Sequence, residues 1–155
     1  MTYQYVQSYT DTKLLVIEQN QDWLDFFTSE IPAIGKNVMV LPIDKRMMNG
    51  YETNIYAGLI DNINGKKYDL VLIDGPLGSP NFSRSQMIDM IEHDLLAKDF
   101  VVLLDDINRA GEQHTAARCV DLLRKKSISF HIGQYAGKKS MLIICSEKYK
   151  YLKGL

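Results

Sequence analysis

Four apolar runs of this chain end in acid: LLVIE at Glu18, VMVLPID at Asp44, LVLID at Asp74, and VVLLDD at Asp105 and Asp106. A carboxylate at the end of a buried strand can accept hydroxyl groups, take up a proton or hold a hard cation. One such acid is an ordinary loop starter or helix cap. Four in succession predict a shared site, because parallel strands bring their C-terminal ends to one edge of a sheet, where open α/β folds bind ligands. Asp74 runs straight into Gly75 and Pro76, which let a ligand come close to the backbone and fix the turn.

Other chemistry-bearing residues are sparser. His114 follows the Asp105-Asp106 loop on the next expected helix and is placed to act as a base. His93 on a helix and His131 in a strand read as surface or satisfied side chains. Arg84, at the head of a helix facing the rim, suits an acidic acceptor, and suits equally the first position of a capped helix. Cys119 and Cys145 sit in apolar contexts without CxxC or metal spacing, so they read as small buried hydrophobes in a reducing, cytoplasmic setting. The chain carries no nucleophile elbow, P-loop or G-x-G-x-x-G.

The elements that must position these residues alternate. The strand LLVIE (14–18) is followed by a helix that Asn20 can cap, with Trp23, Phe26, Phe27 and Ile31 on one face and Pro32 and Gly35 at its end. The run 38–44 is read as the next strand, with Pro42 marking an edge or an end. Ile55, Leu59, Ile60 and Ile63 make a helical stripe ended by Asn64-Gly65. After strand 70–74, Ser83-Arg84-Ser85-Gln86 has the form of a capping box for a helix carrying Met87, Ile88, Ile91 and Leu95. Strand 101–106 precedes a helix from about Arg109 that buries Ala116, Cys119, Val120 and Leu123.

The last two strands, 128–132 and 141–145, are separated by only eight residues. A parallel crossover needs a dozen or more, so this pair must be antiparallel. The fold expected is therefore α/β: a mostly parallel sheet with helices on both faces and a C-terminal antiparallel pair.

Composition narrows the function classes. At 155 residues, length alone predicts a single domain, 1–155, with a real core. A net charge of −1 lacks the footprint of a nucleic-acid binder, and Arg118, Arg124, Lys125 and Lys126 read as a solvated helix face. No apolar run reaches the roughly 18 residues of a membrane span, and the polar start MTYQYVQSYTDT is not a signal peptide.

Taken in order, VIEQNQDWLDFF, LPID, YDLVLIDGP and VVLLDDINR with a terminal antiparallel pair resemble a class I S-adenosylmethionine-dependent methyltransferase. The similarity is to the bacterial small-molecule and O-methyltransferase-like branch, from about Lys13 onward. The resemblance implies a Rossmann-like sheet, a small-molecule substrate as partner and a set of roles. Glu18, with Gln19 beside it, would bind the cofactor ribose. Asp44 and Lys45 would lie beside the adenine. Asp74, Gly75 and Pro76 would sit where the methionine end meets the acceptor, with Asp74, Asp106 and His114 as the catalytic candidates. In metal-dependent members, acids at these positions hold a divalent cation, which here would be Mg²⁺ on Asp74, Asp105 and Asp106. The Asp-Asn pair of catechol-type enzymes is not matched, because Ile107 follows Asp106 and Asn108 comes one place late.

The family normally opens with a central strand and a Gly-rich loop, whereas no glycine precedes Gly35 here. Residues 1–19 resemble the tail of the family's first helix, although TYQYVQSY also has strand composition. The expectation is an N-terminally shortened methyltransferase with its first strand missing, or a relic or interaction module of the same fold. An unpaired gap at the missing strand would favour self-association into a homo-oligomer. An NAD-dependent oxidoreductase is the other alternative, since Glu18 would suit an NAD ribose.

Overall fold

Short β-branched runs supply the first paired strands, β1 (Val16–Glu18) and β2 (Val38–Val40), which run parallel with Val16 opposite Val38 and Glu18 opposite Val40. The computed structural model describes residues 12–30, 32, 37–137 and 139–154. Its contacts divide the chain into two compact units, Met1–Ile43 and Asp44–Leu155.

In the first unit, β1 leads into α1 (Gln21–Glu30). Asn20 caps it as expected, its Oδ1 accepting the Asp22 N–H at 2.8 Å. Trp23, Phe26 and Phe27 share one face, with ring centroids 5.5 to 6.2 Å apart. The expectations for residues 2–9, Ile31 and Gly35 fall outside the described residues.

The run 38–44 is not one strand. The ladder ends with the Leu41 N–H on the Glu18 carbonyl at 2.9 Å, and Pro42, which has no N–H, comes next. The chain then starts β3 (Ile43–Met48), which pairs with β4 (Tyr51–Tyr56). Two residues join them, so the pair is an antiparallel hairpin. Asn49 and Gly50 both have positive φ, 49° and 83°, as the favoured two-residue turn demands. The helical stripe expected from Ile55 to Ile63 is correspondingly shorter. Ile55 belongs to β4, and α2 spans only Leu59–Ile63.

The largest sheet has the order β5-β6-β8-β7. β5 (Tyr68–Ile73) lies parallel to β6 (Leu96–Leu104), and β8 (Met141–Cys145) runs antiparallel to both β6 and β7 (His131–Tyr135). The antiparallel tail is thus as expected, but β7 begins three residues late. The end of the preceding helix uses those residues, with the Ile128 N–H bonded to the Leu123 carbonyl at 3.0 Å. The described strands form three separate sheets in a mixed α/β arrangement.

Two helices, α3 (Gln86–Glu92) and α4 (Ala110–Lys125), pack against each other. Phe100, Val102 and Leu104 point to one face of β6 and are at most 3% exposed. On its other face Val101 and Leu103 cluster with Ile143, Cys145, Tyr149 and Leu152, the last two from a C-terminal 3₁₀ segment, Glu147–Gly154. Among the described residues no helix is long and apolar enough to cross a membrane.

Candidate functional site

The register of β5 and β6 builds the acidic centre. Ile73 lies opposite Leu104, so Asp74 and Asp105 leave the sheet side by side, and the Asp105 N–H extends the ladder to the Ile73 carbonyl at 3.1 Å. Asp106 takes φ 57°, turning the chain toward α4. Carboxylate oxygens of Asp74, Asp105 and Asp106 all lie within 4.8 Å of one another. Asp74 is the open member, with a side chain 61% exposed; Asp106 is 8% exposed and Asp105 9%.

Such crowding needs counter-charge, and three cations supply it. Arg84 donates from Nη2 to Asp74 Oδ1 (3.2 Å) and Asp106 Oδ2 (3.1 Å), and from Nη1 to the Asp105 carbonyl at 2.8 Å. Arg109 Nη1 lies 3.0 Å from Asp106 Oδ2, and Lys139 Nζ donates to Asp105 Oδ2 at 3.0 Å. Burial works against the charge on Asp105, but the Lys139 hydrogen bond, a backbone hydrogen bond from Asp106 and the charges of Lys139 and Arg84 together hold its carboxyl below the usual range. The same pairing raises the Lys139 ammonium, through its hydrogen bond to Asp105 and the charges of Asp105, Asp106 and Asp74.

Arg84 reaches the acids because the loop 76–85 is pinned. The Ser83 N–H donates to the Gly111 carbonyl at 3.1 Å, its carbonyl accepts the Thr115 hydroxyl at 2.6 Å, and its own hydroxyl donates to Glu112 at 2.9 Å. The hairpin holds the other side. Thr53 donates to the Phe82 carbonyl at 2.8 Å, and Asn54 Nδ2 to the Leu77 carbonyl at 3.0 Å. Phe82 and Arg84 both have positive φ, 48° and 57°, so alternate side chains of this loop turn sharply.

These contacts replace the expected capping box. The N-cap of α3 is Ser85, in helical conformation and without a side-chain cap bond, and Ser83 serves Glu112 instead. Gln86 exchanges two hydrogen bonds with the Tyr56 backbone, at 2.6 and 2.8 Å. Arg84 is neither an exposed acceptor-binding group nor a helix-surface residue. Its side chain is 4% exposed and turned inward.

The remaining expected site residues belong to different elements. Asp44 stands second in β3, exposed, accepting the Lys45 N–H at 2.7 Å, and so does not end a parallel strand. Glu18 does end a parallel strand, in the first unit, and its Oε1 accepts the N–H groups of Gln19 (2.7 Å) and Asn20 (3.0 Å). Gly75 and Pro76 are joined by a cis peptide bond. What comes close to the backbone there is the Tyr56 hydroxyl, which a Cβ on residue 75 would overlap. His114 is exposed on α4, its ring centroid 5.5 Å from that of Phe82.

Glu112, Arg109 and Lys139 were not among the expected site residues. Glu112 left a trace in the sequence, since it falls on the stripe of Ala116, Cys119 and Leu123 that faces the core, and it is 1% exposed. As they stand, the three aspartates do not fit Mg²⁺, because each already has an oxygen committed to a protein cation. Glu18, an acid closing a parallel strand of the first unit, fits in type a position that would hold a cofactor ribose.

No family model matches the chain, and no curated protein matches it. Among solved structures, a methyltransferase from Pyrococcus furiosus is similar with a TM-score of 0.49 and 12% identity, over 94% of this chain and 68% of that one.

Proposed function

We propose that this chain is an S-adenosylmethionine-dependent methyltransferase, or a shortened member of that class, with a Rossmann-like fold and a small-molecule acceptor. One observation carries the reading. Adjoining parallel strands end in Asp74 and Asp105-Asp106, so a carboxylate cluster stands at the sheet edge where α/β enzymes place their ligands. When bound, the cofactor would supply a methyl group on a sulfonium centre.

The chain's own residues would bind and orient. Glu18 and Gln19 would hold the ribose. Asp74, the exposed carboxylate of the cluster, would align the acceptor hydroxyl and take its proton. His114 is the other candidate base.

Calorimetric titration with S-adenosylhomocysteine tests the proposal, on this chain and on any longer natural form. Micromolar binding is expected, with NADH giving no heat. Asp74→Asn is expected to lower methyl transfer by about 10²-fold, the low end of what a general base contributes. Absence of binding in both forms would reject the reading. A second reading, a non-catalytic module of the same fold, is favoured by one feature. Asp74, Asp105 and Asp106 are all paired with protein cations, as in a purely structural network.

A further inference from the structure

Asp74, Asp105 and Asp106 resemble a hard-cation site in composition, with three carboxylates whose oxygens lie within 4.8 Å of one another. Mg²⁺ in such a site would need those lone pairs at about 2.0–2.1 Å in near-octahedral array. Here one oxygen of each carboxylate is already engaged by a protein cation. A single nitrogen of Arg84 stands between two of the carboxylates, 3.2 Å from Asp74 Oδ1 and 3.1 Å from Asp106 Oδ2.

The three cations differ in freedom. The side chains of Arg109 and Lys139 are 56% and 64% exposed and can swing away. Arg84 is 4% exposed, and its other terminal nitrogen is tied to the Asp105 carbonyl. Its backbone sits in the left-handed region, in a loop that Ser83 fastens to Gly111, Glu112 and Thr115. Glu112, 1% exposed, lies 3.7 Å from Nε and gives the buried guanidinium a further counter-charge. Removing Arg84 from the cluster means dismantling the loop.

We infer that Arg84 is the resident cation of this rim, standing between Asp74 and Asp106 where a divalent metal would otherwise sit. The inference rests on the reading of the rim as the working site. On this view the rim positions its open carboxylate, Asp74, without a metal. Arg84 is then a positioning residue, acting through Asp74 and Asp106.

Metal titration of the whole chain separates this from a merely structural arginine. Mn²⁺ is followed by electron paramagnetic resonance and Mg²⁺ by calorimetry. The wild type is expected to show no saturable binding up to about 1 mM ion, and EDTA is expected to leave S-adenosylhomocysteine affinity unchanged. Arg84→Met is expected to bind Mn²⁺ at least about tenfold more tightly than the wild type, since it removes the buried cation from between Asp74 and Asp106. Adding Asp106→Asn should abolish that gain. Stoichiometric Mn²⁺ binding by the wild type, lost in Asp106→Asn, overturns the inference. So does a folded Arg84→Met that gains no metal.

Should Arg84→Met fail to fold, Lys139→Met decides the matter, because Arg84 remains in place. Continued absence of metal binding supports the inference, and gained binding assigns the role to Lys139 and overturns it. The two proposals fail separately. No binding of S-adenosylhomocysteine alongside the expected metal pattern rejects the methyl donor alone, and metal uptake by the wild type rejects the resident cation alone.

Discussion

Asp105 and Lys139 meet at 3.0 Å, one nearly buried and the other largely in solvent. The Asp105 carboxyl is held below its ordinary range, so the folded state favours its charged form. That contribution is present above the unfolded value of about 3.9 and is lost as pH falls through the lower folded value. Lys139 has the opposite sign: its ammonium is raised, and its contribution persists until pH climbs through the raised value. Lys139→Met is therefore expected to lower stability at neutral pH, where the contribution is fully present, and to move acid unfolding to higher pH. Circular dichroism across an acid titration measures it, and an unshifted acid midpoint would contradict the pairing. At this scale the sequence was half legible. The acids were visible because each closes an apolar run. Of their cations Arg84 was singled out for another role, whereas Arg109 and Lys139 come from a helix start and a strand connection, which no periodicity marks.

Elements show the same division. Strands β6 and β8 were legible because burial on both faces leaves near-continuous Val, Leu and Ile, and β5 was legible as an apolar run although its Leu70 and Leu72 are 51% and 54% exposed. The hairpin β3–β4 was not read, although its Asn49-Gly50 turn is the strongest short-range hairpin signal a sequence offers. Thr53 and Asn54 of β4 bond the loop at the Phe82 and Leu77 carbonyls, and of β4 only Ile55 enters the stripe that the sequence predicts as a helix. That hairpin and α4 grip the loop from two sides, and Glu112 is the grip from α4. Glu112→Ala would leave the Ser83 hydroxyl without its acceptor and the Arg84 Nε without the buried carboxylate 3.7 Å away. Breaking a buried charged contact of this kind costs about 3–5 kcal/mol. Glu112→Gln keeps an oxygen for Ser83 and is expected to cost less. Urea unfolding of the two variants provides the comparison, and a Glu112→Ala protein as stable as the wild type would show that the loop is held elsewhere.

Across the molecule, the larger unit keeps both cysteines inside one body of packing. Cys119 on α4 is 1% exposed and Cys145 on β8 is 0% exposed, and both thiols are free. Burial pushes the Cys119 thiol up to about 12, with the nearby Asp89 charge adding to it, so almost no thiolate exists at neutral pH. Burial raises Cys145 as well. Alkylation needs an exposed thiolate, and exposing either thiol means opening a different layer. Cys119 lies under the packing of α3 and α4, whereas Cys145 shares a cluster with Val101, Ile143 and the 3₁₀ segment. If residues 44–155 unfold as one cooperative body, iodoacetamide should label both at the same urea concentration, coincident with loss of far-ultraviolet circular dichroism. Below that transition labelling should be slower than for unfolded chain by orders of magnitude, since only the rare open form reacts. Early labelling of Cys145 alone would mean that the 3₁₀ segment lifts from the sheet independently, and that this unit holds two layers of different stability around the strands that carry the acidic rim.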